Sequence, residues 1–295
     1  MSQVTLNNCP ICESNKIFPE ITVKDQSISQ EVFHLTKCGD CGFLFTNPQP
    51  NSKSLWKYYE SENYVSHSKT TKGFINFWYR QIQHLNLRLK YRAIRHYVPR
   101  GTWLDYGAGA GDFVRFIKTK GITINGFEPS ATARKTALSH GVNLIDSVNI
   151  QKIPTETIAC ITLWHVLEHI PDFIDTIKSL SNRLIKGGLF VLALPNYKSL
   201  DAKTYGANWA AYDVPRHLWH FTENDITALA ASLNMDLIDT RGMIFDSLYV
   251  SLLSEKYISG SKLSGILNGL KSNVSAMQKS TPYSSQIYIL RKKGI

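Results

Sequence analysis

The chain has 295 residues, 43% of them hydrophobic, which suits one domain of about 200 residues and a small second module. We find no secretion-signal pattern and no apolar run near the ~20 residues of a membrane span, so we expect a cytoplasmic protein. Lysine and arginine number 33 against 23 acids, and this formal charge of +10 fits nucleic acid, an anionic membrane surface, an acidic substrate or simply a basic surface.

Two C-x-x-C pairs lie near the start of the chain. Their members are Cys9, Cys12, Cys38 and Cys41. This spacing puts four thiolates around one tetrahedral centre, the layout of a structural zinc ribbon, and an iron centre of the rubredoxin type stays open. Disulfides and a redox pair suit the pattern less well. We expect residues 1–50 to form this module, with short strands at 21–23, 31–36 and 43–45.

A helical linker is expected between this module and the rest of the chain, over residues 51–100. Apolar residues recur at roughly helical spacing between 71 and 96, and Pro99 and Gly101 end the pattern. Basic residues lie between the apolar ones. Stacking on nucleic acid and packing against a core would both produce this pattern, and packing is the commoner cause.

A glycine-rich turn follows the first strand of the main domain, within residues 102–130. The residues at every second position are Asp105, Gly107, Gly109 and Gly111. Such a turn lets a ligand approach the backbone at the end of a strand. Glu128 ends the next strand, 122–127, where nucleotide-binding sheets place the carboxylate that binds ribose hydroxyls. We therefore expect a ligand that carries a ribose.

Acidic residues around this turn favour a cationic ligand. Asp112 stands where a dinucleotide fingerprint has its third glycine, and both Asp112 and Asp105 would repel phosphate. The pattern D-x-G-x-G-x-G followed by Glu128 resembles motif I and the ribose-binding position of class I S-adenosylmethionine methyltransferases. The resemblance implies S-adenosylmethionine as cofactor and a lid role for the helical segment 51–100.

Alternating strands and helices predict a doubly wound, mostly parallel α/β sheet over residues 101–295. The resemblance implies seven strands, the last antiparallel. Beyond the first two strands, the expected ranges are 142–145, 157–163, 189–196, 236–240 and 285–293. A turn is expected at residues 186–188, and a helical insertion at about 245–280.

Other cofactor contacts are assigned by the same resemblance. Asp146 lies in the region that contacts adenine in the family. The segment 164–172, WHVLEHIPD, resembles the stretch after strand four, so that Trp164 and His165 would flank the cofactor. We expect Glu168 and His169 to begin the next helix.

The acceptor site is expected in residues 195–225, which resemble the PRHLxHFT signature of a bacterial branch of class I methyltransferases. His217 is our candidate general base and His220 the second, and each is otherwise a packed, hydrogen-bonded histidine. The residues expected to bind substrate are Tyr212, Asp213 and Arg216. Arg216 would pair with an anionic substrate group or with Asp213.

Three functions fit these patterns. A small-molecule methyltransferase leads, acting on a sugar or lipid-linked intermediate, because the cysteine module ahead of this domain resembles that of bacterial deoxysugar methyltransferases. An rRNA or tRNA methyltransferase is the second, although residues 164–167 are not the N-P-P-Y tetrad of base methylation. The third is a catalytically silent zinc-ribbon protein that binds a partner.

Overall fold

A computed structural model describes residues 3–59 and 74–294, with side chains from 84 onward in the second range. The amino-terminal module contributes five short strands. These are β1 Gln3–Val4, β2 Ile17–Lys24, β3 Val32–Cys38, β4 Leu44–Thr46 and β5 Gln49–Pro50. Strands β2, β3 and β4 form an antiparallel meander, and β1 pairs with β5. The meander brings the two cysteine pairs together.

The main domain has a six-stranded sheet in the order β11-β12-β9-β8-β6-β7. Its strands are β6 Thr102–Tyr106, β7 Ile124–Phe127, β8 Ile158–Trp164, β9 Leu184–Pro195, β11 Met235–Gly242 and β12 Ser285–Lys292, while β10 Trp219–His220 lies elsewhere. Neighbouring strands from β7 to β9 are parallel, and β12 is antiparallel to both β9 and β11. The predicted doubly wound, mostly parallel sheet is confirmed.

Nine α-helices lie in the described part of the chain. They are α1 Phe74–Ile94, α2 Asp112–Lys118, α3 Ala131–Ser139, α4 Ser147–Ile150, α5 Phe173–Ser181, α6 Leu200–Tyr205, α7 Glu223–Ser232, α8 Ile244–Tyr257 and α9 Lys262–Met277. Residues 71–73 of the predicted linker helix lie outside the described residues. Thr222 and Asp225 begin α7 with a capping box, because each side chain satisfies a backbone amide of the first turn.

Two details of the predicted sheet differ from the structure. The seventh strand is reduced to one bridge, in which Ile145 pairs with Phe127 beside β7. The predicted turn at residues 186–188 is wrong, because these residues lie inside β9. Gly187 has a φ of +73°, and the register against β8 shifts between Ile158 and Cys160, so the chain bends within the strand instead of leaving the sheet.

The amino-terminal module shares a core with the main domain. Strand β10 pairs with β4, with Trp219 opposite Phe45, so residues of the PRHLWHFT segment extend the sheet of the cysteine module. Phe43 packs 5.4 Å from Phe221 and 6.2 Å from Phe173, measured between ring centroids. Phe43 is fully buried. Helix α1 packs on the other face of the sheet, where Ile94 is also fully buried.

Candidate cofactor site and metal centre

The glycine turn leaves the carboxyl end of β6 in the conformation that its sequence predicts. Gly107, Gly109 and Gly111 all have positive φ, at +79°, +54° and +76°. A Cβ on Gly107 would lie 2.5 Å from Cγ2 of Val166, whereas a Cβ on Gly109 would meet no atom of the described residues within 4 Å. The backbone at Gly109 therefore borders open space at the edge of the sheet.

Glu128 lies directly against this turn. Its Oε2 accepts a hydrogen bond from the Gly109 amide at 2.9 Å, and its Oε1 accepts one from the Ser130 amide at 2.9 Å. The side chain is mostly buried. Two backbone amides thus orient the carboxylate beside the open space at Gly109, where a ribose would bring its hydroxyls.

Asp105 is buried at the end of β6, below the turn. Its Oδ1 accepts a hydrogen bond from Thr162 Oγ1 at 2.7 Å. Burial raises the pKa of Asp105 to about 6, although the bond from Thr162 and the charge of Lys90 act in the opposite direction. Asp112 differs, because its carboxylate is paired with Arg115 at 2.9 Å on the surface. Of these two acids, Asp105 is the buried one beneath the turn.

Trp164 ends β8 at the same edge. Its ring packs edge-on against Phe113 at 5.1 Å, and Lys90 Nζ lies 4.6 Å from the ring centroid. The indole Nε1 is buried and finds no hydrogen-bond partner among the residues that the structure describes. A buried donor without a partner is costly, so this N–H is available to a ligand.

His165 joins two acids in a charged network. Its Nε2 lies 2.9 Å from Asp246 Oδ2, and its Nδ1 lies 3.4 Å from Glu168 Oε1. Burial alone would lower the pKa of His165, but the two carboxylates raise it to about 9. The ring is therefore charged at neutral pH. His165 also has a φ of +56°, a left-handed conformation that is uncommon outside glycine and is found at functional sites.

Asp146 lies at this edge too, one position beyond the bridge that pairs with β7. Its Oδ1 accepts hydrogen bonds from the amides of Val148 and Asn149, at 3.1 and 2.9 Å. These bonds cap α4 and lower the pKa of the carboxyl. A contact between Asp146 and an adenine stays a prediction.

A cleft of about 480 Å³ opens beside Trp164, between α1 and the start of α8. Lys90 connects the cleft with the end of β8, because it lines the cleft and its Nζ lies over the indole ring of Trp164. The lining combines apolar side chains with the cations Lys90, Arg92 and Arg241, and it includes no acid among the described residues. The cleft is large enough for a drug-sized molecule. Its positive charge is partly balanced, because Arg241 pairs with Asp239 at 2.6 Å just outside the lining.

A family model described as a methyltransferase domain matches residues 78–240, more than half of the chain. The chain belongs to the methyltransferase-domain family. This match includes β6, the glycine turn, Glu128 and the end of β8, the elements that build the edge described above.

Curated relatives carry the same kind of domain. A stretch of 159 residues is 24% identical to the ubiquinone biosynthesis O-methyltransferase of Cupriavidus pinatubonensis and covers 49% of this chain. It covers 64% of that relative, which is less than two thirds of its length. The protein of the same name from Idiomarina loihiensis is 25% identical over 167 residues, covering 52% of this chain and 69% of the relative.

A solved structure shows the same fold over nearly the whole chain. Phosphoethanolamine N-methyltransferase 2 of Haemonchus contortus, in complex with S-adenosyl-L-methionine, matches with a TM-score of 0.54 at 14% identity. The match covers 94% of this chain and 69% of that protein. The Rossmann-like methyltransferase fold is therefore shown.

His220 of this methyltransferase domain lies in the contact with the cysteine module. It is 5% exposed, its Nε2 lies 3.3 Å from Thr46 Oγ1, and its backbone pairs with Leu44. Burial lowers its pKa to about 3. These are the properties of a packed histidine, the alternative that the sequence left open for this residue.

His217 is also buried, next to a second histidine and an acid. Its Nδ1 lies 2.9 Å from the Ala211 carbonyl, and its ring meets that of His169 edge-on at 4.6 Å. Burial and the neighbouring His169 lower its pKa to about 4. Ligand atoms of Glu168, His169 and His217 lie within 4.8 Å of one another, close enough to hold a metal ion. Neither His217 nor His220 lines the cleft.

Glu168 differs from the sequence prediction. With His169 it lies in a short 3₁₀ helix, Leu167–His169, whereas α5 begins only at Phe173, so the prediction that this pair begins the next helix is wrong. Glu168 is 1% exposed, and within the described chain neither carboxylate oxygen accepts a hydrogen bond. Burial acts to raise the pKa of Glu168, but the contact with the protonated His165 ring, whose Nδ1 lies 3.4 Å from Oε1, holds it below its usual range.

The three residues expected to bind substrate lie together beside the cysteine module. Asp213 and Arg216 form a bidentate ion pair through Nε and Nη2 on one edge of the guanidinium, and Arg216 Nη1 donates to the Tyr58 carbonyl at 3.0 Å. Arg216 is 3% exposed. Tyr212 is buried and packs edge-on against His220. The pairing of Arg216 with Asp213 was one of the two roles considered from the sequence, and substrate contact by these residues stays a prediction.

The four cysteine sulfurs converge as the two pairs predict. Sγ of Cys9 lies 3.5 Å from Sγ of Cys41, and Sγ of Cys12 lies 3.5 Å from Sγ of Cys38. All four fall within 4.8 Å of one another. Tetrahedral zinc with Zn–S bonds of about 2.3 Å needs sulfurs about 3.8 Å apart, so the cluster fits such an ion closely.

Two charged residues of the cofactor edge were missed by the sequence reasoning. Lys90 belongs to α1, where it looked like one of several surface cations, and Asp246 begins α8, inside the predicted insertion. Burial lowers the pKa of Lys90, and the nearby Asp246 and Asp105 act to raise it. Neither residue lies in a recognisable motif. The signal available was only that Asp246 is one of two acids in a mostly basic and apolar insertion.

Proposed function

We propose that this chain transfers a methyl group from S-adenosylmethionine to a small-molecule acceptor. The observation that carries the proposal is the bond between Glu128 and the Gly109 amide, which orients a carboxylate at the open edge of β6 and β7. A carboxylate so held accepts hydrogen bonds from ribose hydroxyls. When bound, the cofactor supplies an electrophilic methyl group on a positively charged sulfur.

Other residues at this edge suit the cofactor. The open space at Gly109 admits a ligand against the backbone, and the unpartnered Trp164 Nε1 offers a buried donor. Buried Asp105 contributes negative charge below the turn, which favours a cation over a phosphate. The same residues fit a dinucleotide poorly, because Asp112 at the start of α2 replaces the third glycine of the dinucleotide fingerprint.

We assign the acceptor to the cleft between α1 and α8. Lys90 and Arg92 in its lining support an acceptor with a carboxylate or phosphate group, and its apolar residues support a ring or chain beside that group. The relatives named as ubiquinone biosynthesis O-methyltransferases support a hydroxyl oxygen as the atom methylated. A lipid-linked or sugar intermediate with an acidic group meets these requirements.

Lys90 is our candidate for the group that receives the hydroxyl proton. It lines the cleft beside Trp164, and burial lowers its pKa, so that a neutral amine forms more readily than in water. His165 is unsuited to this task because its raised pKa keeps it protonated. Neutral Lys90 would accept the hydroxyl proton and become an ammonium ion as the acceptor oxygen takes the methyl group.

The test begins with transfer of a labelled methyl group from S-adenosylmethionine. Acceptors would be offered in three groups: phenolic carboxylic acids and lipid-linked phosphates, sugar nucleotides, and total tRNA. We expect transfer to an acidic hydroxyl compound, with none to tRNA. Lys90→Met should lower kcat by about 10²-fold or more and flatten the pH profile, while cofactor affinity is retained. Labelling of tRNA alone, or no cofactor binding by calorimetry, would reject the proposal.

We also propose that Cys9, Cys12, Cys38 and Cys41 hold one structural zinc ion. An all-cysteine set leaves no open coordination position, so the ion would stabilise the module and take no part in methyl transfer. The pairing of β10 with β4 supports an effect of the ion on the main domain as well, because β10 comes from that domain and extends the sheet of the module. Residues 1–50 would then stabilise the conformation of the segment around His217.

A further inference from the structure

The hairpin of α8 and α9 has its large apolar side chains on the outside. On α9, one stripe faces solvent, with exposures from 42% for Ile266 to 70% for Met277. Its members are Leu263, Ile266, Leu267, Leu270, Val274 and Met277. They recur at intervals of three and four residues, so they share one helical face. An ordinary surface helix would turn this face toward the core.

Small residues take the inward positions. Gly265 and Gly269 face α8 so closely that added Cβ atoms would lie 3.0 and 2.8 Å from the Cα atoms of Leu252 and Leu248. Four serines of the hairpin are also fully buried, namely Ser247, Ser251, Ser254 and Ser272. Two of them face the rest of the domain, because Ser272 Oγ donates to Asp201 at 2.7 Å and Ser254 Oγ accepts from the Ala210 amide at 2.9 Å. The two helices therefore pack through their small side chains. Within the described part of the chain, this packing leaves Leu263, Leu267 and Leu270 exposed on the outer side of α9.

From residue 256 onward, the charged side chains of the hairpin are all positive. Residues 256–279 contain no acid, and the cations there are Lys256, Lys262, Lys271 and Lys279, all exposed. The two acids nearer its start are occupied, since Glu255 is buried against Tyr205 and Asp246 pairs with His165. On the helical wheel Lys262 and Lys271 lie on either side of the apolar stripe. The surface is thus apolar in the middle and positive at its borders.

From this arrangement we infer that the α9 stripe docks the protein on an anionic phospholipid membrane. An interfacial helix inserts its apolar face among the acyl chains while lysines at its borders meet the headgroups. Helix α9 has 16 residues and is about 24 Å long, enough to lie flat in this region. No helix in residues 3–59 or 74–294 has the length and apolar character to cross a bilayer, so docking would be at the surface.

The lysines beside the stripe favour an anionic membrane over a second copy of the chain as the partner of α9. Two copies meeting through this stripe would bring identical lysines near one another, which opposes association, whereas anionic headgroups attract them. The hairpin also adjoins the cleft, because Ile244 lines the cleft and its carbonyl accepts a hydrogen bond from Asn273 on α9 at 2.8 Å. The inference does not depend on methyl transfer.

The experiment is sedimentation of the full-length, zinc-loaded protein with vesicles of phosphatidylcholine alone or with one quarter phosphatidylglycerol. We expect the protein to sediment with the anionic vesicles, less so as salt rises, and weakly with phosphatidylcholine. The double variant Leu267→Glu/Leu270→Glu should bind at least about tenfold more weakly. Leu138→Glu is the matched control, because Leu138 is 62% exposed on α3, away from the hairpin.

A second variant keeps the test valid if the first fails to fold. Lys262→Ala/Lys271→Ala leaves the stripe intact and should weaken binding to the anionic vesicles and reduce its dependence on salt. The inference is overturned if wild-type protein stays in the supernatant with anionic vesicles, or if both double variants sediment like wild type. It is also overturned if light scattering shows a dimer that Leu267→Glu/Leu270→Glu separates.

Discussion

Glu128 accepts a hydrogen bond from the backbone amide of Gly109, 19 residues earlier in the chain, at 2.9 Å. The carboxylate that ends β7 therefore holds the turn that leaves β6, and the two parallel strands present one shared edge. This contact makes the shape of the turn depend on the acid proposed to bind the cofactor. A change at Glu128 should consequently affect both the turn and the ligand.

Glu128→Gln should weaken S-adenosylmethionine binding by about tenfold to 10²-fold. The amide keeps the shape of the side chain but loses the charge, and charge-assisted hydrogen bonds are worth about 1.5–3 kcal/mol. Calorimetric titration with the cofactor measures the change. Glu223→Gln, an exposed acid at the start of α7, is the control and should bind like wild type. Equal affinity in all three proteins would contradict our placement of the ribose.

Gly107→Ala should destabilise the protein by about 2–4 kcal/mol, because a Cβ there combines unfavourable φ with overlap on Val166 at 2.5 Å. Gly121 separates the two effects. It has a similar φ of +72°, but no atom of residues 3–59 or 84–294 lies within 4 Å of an added Cβ, so Gly121→Ala should cost only about 1 kcal/mol. Urea unfolding of both variants checks this. Equal losses would mean that Val166 moves aside at little cost.

Features of the fold and of the site that depend on residues close together in sequence could be predicted. The glycine turn, Glu128 and the cysteine pairs are local patterns, and the structure brings their members together. Contacts between elements that are far apart in sequence could not be predicted. Thr46 bonds the His217 carbonyl across 171 residues, and His165 meets Asp246 across 81, with no periodicity that links them. For that reason a segment predicted to contact substrate is found in the interface with the cysteine module.

Cys38→Ser should remove the proposed zinc ion and lower the melting temperature of the whole chain. Cys38 is buried, and the core around it includes Phe43, which packs on Phe173 and Phe221 of the main domain. Loss of the module should therefore destabilise both parts in a single transition. Elemental analysis and calorimetric scanning measure the two effects.

Cys160→Ala is the control for this prediction. Cys160 is fully buried in β8 and lies outside the sulfur cluster, so the variant should keep one zinc ion per chain and lose about 1 kcal/mol or less of stability. Two separate unfolding transitions in Cys38→Ser would show that the module and the main domain are stabilised independently. Wild-type protein that is folded but free of metal would contradict the zinc proposal.

The network around His165 should make the protein less stable as the pH rises from about 6.5 to 9. The pKa of His165 is raised to about 9 in the folded state, so its contribution is complete below the unfolded pKa and is lost as the pH passes the folded value. We expect about 1 kcal/mol after allowing for solvent at a ring that is 32% exposed. Denaturant unfolding at pH 6.5 and 9.5 measures it. In Asp246→Asn this alkaline loss should shrink, and an unchanged loss would show that Asp246 does not hold the imidazolium.

His220 should show the opposite dependence on pH, and this separates a packed histidine from a catalytic base. Burial lowers its folded pKa to about 3, so the unfolded chain binds the extra proton first and stability falls as the pH drops below about 6.5. One such imidazole contributes a loss of roughly 2 kcal/mol between pH 6.5 and 5. His220→Gln should reduce this acid sensitivity and cost about 1–3 kcal/mol at pH 7, because the fitted ring beside Thr46 is lost.

The same variant decides the catalytic question through its kinetics. If His220 is packed as described, His220→Gln should leave kcat and its pH profile near wild type at temperatures where the protein is folded. His140→Gln, an exposed histidine after α3, is the control and should leave both stability and kinetics near wild type. A loss of 10²-fold or more in kcat with an unchanged melting temperature would instead make His220 the proton acceptor. That result would move the acceptor from the cleft beside Lys90 to the contact with the cysteine module.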